Sequence, residues 1–161
     1  EYLTGTVHIN SDSIDKLDFS YQEAVQGIPS TKPLIEMTIP SILDGSLAPK
    51  GSGHHVIGLF CQYAPKLKEG RWNEEKKQEF AQKVYKEIEQ FCPGFSESIL
   101  FEDLLSSEDL EKEFSIKGGN IFHGSIELKS FFFCRPFLHF SDYRQNLKNI
   151  NNLFSCSSGM H

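Results

Sequence analysis

Apolar residues recur along this chain with two periods. From Ser13 the positions Ile14, Leu17, Tyr21, Ala24 and Val25 are spaced three and four apart, and Gly27 and Pro29 follow. That spacing and that stop predict a helix over about 13–26 with these residues on one face. A longer helix is predicted at about 73–91. Asn73 can cap it, Glu74 and Glu75 sit where the helix dipole favours negative charge, and Cys92-Pro93-Gly94 ends it. Phe80, Val84, Ile88 and Phe91 line its apolar face, Ala81 and Tyr85 widen it, and Glu87 falls on the polar side. A third, short helix begins where Ser106 and Asp109 can form a capping box and Leu105 can staple onto Leu110; Phe114 marks its end.

Elsewhere the pattern is that of strands. Tyr2 to Ile9 is rich in β-branched and aromatic residues, with His8 among its polar positions, and Leu34 to Ile39 is bounded by Pro33 and Pro40. His55 to Tyr63 is a nearly continuous apolar run, which predicts a central strand buried on both faces, with Gly58 marking a bulge or a close backbone neighbour. This strand is expected to receive Phe80, Val84 and Ile88 of the long helix. A further strand is expected from Ser98 to Glu102. Strands and helices alternate irregularly, so the fold class expected is α+β with a mixed β-sheet packed by helices.

Composition narrows the function classes. A chain of 161 residues, 39% hydrophobic, is long enough to bury one core. A formal charge of −6 argues against a nucleic-acid or anionic-membrane surface, because both need clustered Lys and Arg. No apolar run approaches the roughly 20 residues of a membrane span. Cys61, Cys92, Cys134 and Cys156 form no C-x-x-C, which fits a reducing, intracellular compartment. His54-His55 would point to opposite faces of a strand, so no metal is expected there. Gly51-Ser52-Gly53 lacks a third glycine and precedes a strand, so it does not read as a nucleotide loop.

Candidate chemistry gathers in Gly118 to Gly124, Phe131 to Pro136 and Cys156 to His161. His123 could bind a ligand or act near neutral pH, or it could serve a turn. Asn120 could offer its amide to a carbonyl or supply a left-handed turn. Arg135 could grip a carboxylate or phosphate, or pair with a surface acid. Phe131-Phe132-Phe133 reads first as core packing and second as the lining of an apolar cavity.

The run G-G-N-I-F-H-G, Arg135-Pro136, Tyr143-Arg144 and the terminal L-F-x-C-x-S-G-x-H resemble the end of the phytoene-desaturase-like FAD-dependent oxidoreductases. Ile39-Pro40-Ser41-Ile42-Leu43-Asp44, Leu47-Ala48-Pro49, Phe60 to Tyr63 and Pro93-Gly94-Phe95 fall in the same order. The resemblance implies a C-terminal, substrate-side portion of a larger flavoprotein that takes hydride from an apolar or amine-like small molecule. It also implies mitochondria, with the cytoplasm as the alternative. It places Ser158, Gly159 and His161 beside the flavin, and Asn120, Phe122, His123 and Arg135 on the substrate side. Residues 1–152 would form the substrate-side domain and 153–161 the start of a flavin-contacting segment. The N-terminal glycine fingerprint that holds FAD pyrophosphate is absent from the chain, so FAD is expected only in the full-length protein. Ser155 and Ser157 stand where the family usually has an apolar residue and a glycine. They favour the rival expectation, a redox-inactive protein-interaction module of flavoprotein ancestry.

Overall fold

The computed structural model describes residues 2–124 together with Asn152 and Ser158. Two compact units emerge, Glu1–Ser106 and Ser107–His161. The first contains β1 (Val7–Ile9), α1 (Ile14–Val25), β2 (Leu34–Thr38), β3 (Gly58–Gln62) and α2 (Glu74–Glu89). In the second, α3 (Ser107–Phe114) is followed by a 3-10 turn over Lys117–Gly119.

The strands pair in the order β1-β2-β3, and both pairings are antiparallel. The mixed sheet expected from the sequence is therefore an antiparallel one among the described residues, and the class remains α+β. Val7, Met37 and Leu59 stand opposite one another across the three strands, as do Ile9, Ile35 and Cys61. These two rows form one face of the sheet, because side chains opposite each other in a ladder share a face. They join a single core with Phe80, Ala81, Val84, Tyr85 and Ile88 of α2. Ile35 and Ile88 are the most deeply buried of this set. Burying such a side chain contributes about 1.5–3 kcal/mol.

Several strand expectations are corrected. β2, not β3, is the central strand among the described residues. The apolar run at 55–63 is not buried on both faces: Leu59 and Cys61 turn toward α2, whereas Phe60 is 46% exposed and Val56 and Ile57 are also exposed. The first strand begins only at Val7, after a 3-10 turn over Tyr2–Thr4. No strand forms at 98–102; a 3-10 turn at Ser96–Ser98 leads into extended chain that sends Ile99 and Leu104 to the core.

Helix ends follow local chemistry. Ser13 accepts from the Lys16 amide to open α1, and Asn73 accepts from the Lys76 amide to open α2. Gly27, at φ +72, ends α1 and brings its backbone against Lys68, where a Cβ would lie 2.7 Å from the Lys68 nitrogen. The apolar row of α1 is largely exposed: Ile14 is 82% exposed and Val25 64%, Tyr21 meets Tyr63 edge-on at 6.2 Å, and the buried residue of the helix is Ser20. Polar bonds tie α1 down instead, since Ser20 donates to the Lys32 carbonyl and Glu23 accepts from the backbone and hydroxyl of Thr31. Phe91, expected on the core face of α2, lies beyond the helix end and is exposed.

Candidate functional site

In the second unit, the two glycines at 118 and 119 both adopt positive φ, +66 and +63. A Cβ on Gly119 would collide with the backbone of Ser107 at the start of α3, so only glycine lets the chain pass there. Asn120 then organises the next turn. Its Oδ1 accepts from the Phe122 amide at 3.0 Å, its Nδ2 donates to the Gly124 carbonyl at 3.1 Å, and its carbonyl accepts from the His123 amide at 2.9 Å. The Asn120 side chain is thus engaged by its own turn. His123 holds a left-handed conformation, φ +59, and its side chain is exposed, as is that of Phe122. The structure therefore brings Asn120, Phe122 and His123 together in one exposed turn. Ser158 is exposed, while Arg135, Gly159 and His161 lie outside the described residues, as does Phe131-Phe132-Phe133.

The first unit contains polar groups that sequence reasoning missed. Tyr85 donates its phenol to one oxygen of Glu102, and Gln78 donates to the other at 2.5 Å. The two bonds hold the Glu102 carboxyl below its ordinary range, with Gln78 the larger cause. Burial, then the Glu102 bond, keeps the Tyr85 phenol protonated well above its usual pKa. Burial likewise pushes the Cys61 thiol up to about 12, which keeps it from acting as a thiolate nucleophile.

Ser41, buried, lies 3.0 Å from Nδ1 of His55 and accepts from the Val56 amide at 3.0 Å. No carboxylate bonds His55 among the described residues, and the Ser41 oxygen is already engaged by an amide. The pair ties the 3-10 turn at Pro40–Ile42 to the approach of β3. Also among the described residues, no group of three or more His, Cys, Asp or Glu could hold a metal ion, and no helix is long and apolar enough to cross a membrane.

FAD can be tested against the helix N-termini, where a diphosphate would be bound. Each of the three described helices carries acid in its first turn: Asp15 in α1, Glu74 and Glu75 in α2, Glu108 and Asp109 in α3. None is entered through a glycine-rich turn from a strand, and the Gly51–Gly53 loop leads to β3. The described residues do not fit a flavin diphosphate.

Pyridine nucleotide-disulfide oxidoreductase domain-containing protein 2 of Mus musculus is 43% identical to the chain over 158 residues, and its Rattus norvegicus counterpart 42%. The chain is homologous to a pyridine nucleotide-disulfide oxidoreductase domain-containing protein. Each alignment covers 97% of this chain and 26% of the relative, so the chain spans about a quarter of the length of the curated relatives it matches. No family model and no solved structure matches it.

Proposed function

We propose that the chain is the substrate-side portion of a flavin-dependent oxidoreductase that takes hydride from an apolar or amine-like small molecule. The observation that carries this reading is the 43% identity to an oxidoreductase-domain protein along nearly the whole chain. The family resemblance at Gly118 to Gly124 adds to it. The flavin would supply the redox chemistry and be held outside the described residues. Within this chain the glycine pair and Asn120 fix the turn, and that turn sets the direction of Phe122 and His123 toward substrate. Arg135 on the substrate side, and Ser158, Gly159 and His161 on the flavin side, belong to the same proposal, as does residence in the mitochondrial matrix.

The test is His123→Ala in a polypeptide of the relatives' full length, compared by flavin absorbance, melting temperature and anaerobic flavin reduction. The expected outcome is unchanged flavin content with a reduction rate or substrate affinity altered about 2- to 12-fold, which corresponds to one side-chain hydrogen bond of about 0.5–1.5 kcal/mol. Unchanged kinetics with a lowered melting point would assign His123 to the turn. A second reading, a protein-interaction module without redox activity, is favoured by the exposed apolar row of α1. A full-length protein without flavin absorbance would select it.

A further inference from the structure

The face of the sheet opposite α2 carries a different row. His8, Glu36 and Phe60 stand opposite one another across β1, β2 and β3, and Thr38 stands opposite Gly58. Side chains so paired lie about 4.5–5.5 Å apart at Cβ, so the carboxylate of Glu36 is flanked by an imidazole on one side and a phenyl ring on the other. Glu36 is half-buried, and no hydrogen bond or ion pair reaches its side chain from the described residues. Its carboxylate oxygens are thus available to a cationic or hydrogen-bonding ligand on this face. Phe60 beside it is 46% exposed.

Around this pair the surface sinks into a depression of about 270 Å³, lined by Thr6, Glu36, Thr38, Gly58, Leu59 and Phe60. Gly58 keeps it open, because a Cβ there would lie 3.0 Å from the Thr38 hydroxyl. A single carboxylate, an adjacent aromatic ring and two hydroxyls in a shallow bowl are complementary to an organic ammonium group. The carboxylate neutralises the charge, the ring face attracts it through its quadrupole, and the alkyl substituents displace water from the ring.

We propose that this open sheet face is a binding site for an organic ammonium ion, with Glu36 as the counter-ion and Phe60 as the aromatic wall. The site lies within the Glu1–Ser106 unit and goes beyond the oxidoreductase reading, since it requires no flavin. The test is a titration of the 15N-labelled chain with choline chloride at constant chloride concentration, followed by amide chemical shifts. The uncharged isostere 3,3-dimethylbutanol serves as the control. Saturable shifts at Thr6, Glu36, Thr38, Gly58 and Phe60 with choline and not with the alcohol are the expected result. Glu36→Gln is expected to weaken binding about tenfold or more and Phe60→Leu about threefold. Equal shifts with the alcohol, no saturable shifts in the millimolar range, or unchanged affinity in a well-dispersed Glu36→Gln spectrum would overturn the assignment. Phe60→Leu, at an exposed position, reads the same site without disturbing Glu36, and unchanged affinity there would overturn it as well.

Discussion

Glu102 shows what one residue contributes when its partners come from another element. Its carboxylate accepts from Gln78 and Tyr85, both on α2, and so ties the extended chain after Ser98 to the core helix. Because its folded pKa lies below the ordinary value of 4.5, its stabilising charge is present above that pH and is lost as pH falls through the folded pKa. Glu102→Gln keeps a carbonyl that can accept from Tyr85 but removes the charge. It is expected to lower stability at pH 7 by no more than about 1 kcal/mol, since the carboxylate is largely solvated. Denaturant melts of both proteins from pH 7 to pH 3 check this, and the two should converge in acid; a gap that widens there would reject the assignment. Sequence could not reveal this bond, because Tyr85 and Glu102 are 17 residues apart and neither forms a local motif. Asn120 does close bonds within four residues, but the left-handed conformation expected of it falls instead on Gly118, Gly119 and His123, while Asn120 itself is extended at φ −78.

At the scale of elements, α2 was readable in the sequence and the sheet order was not, for one physical reason. A helix closes its own hydrogen bonds, so caps and a period of about 3.6 suffice to place it. Asn73 and the row Phe80, Val84, Ile88 accordingly stand where the sequence put them. A strand is completed by partners distant in sequence, and apolar richness alone made 55–63 look central. β2 took the centre although it carries Glu36, because its other face supplies Ile35 and Met37 to the core. Val84→Asp is expected to destabilise by about 3–5 kcal/mol through an unpaired charge in that core. Lys86→Ala, on the exposed face of the same helix, is expected to stay within about 0.5 kcal/mol. Equal melting temperatures for the two variants would reject the assigned face. Glu87, placed on the polar side from sequence, is a poorer control: it accepts from the Asn10 amide at 3.0 Å, and Asn10 also donates to the Pro33 carbonyl.

At the scale of the whole chain, homology to an oxidoreductase-domain protein is consistent with an enzymatic lineage, and the described helices bear on whether a flavin diphosphate could be held among them. A flavin diphosphate needs several backbone amides and a favourable helix dipole at one point. Here Ser13 and Asn73 already satisfy amides of the first turns of α1 and α2, and the acids in the first turns of all three described helices oppose a second negative charge. The chain is therefore expected to bind FAD no more tightly than a weak, non-saturating association. Titration followed by flavin fluorescence checks this, with free riboflavin as the comparison lacking the diphosphate. A saturable dissociation constant near 1 μM corresponds to about 8 kcal/mol. Such a gain requires a built diphosphate cradle, so observing it would show that the cofactor site lies within this span after all. Similar weak binding of FAD and riboflavin would instead agree with helix N-termini that repel the diphosphate.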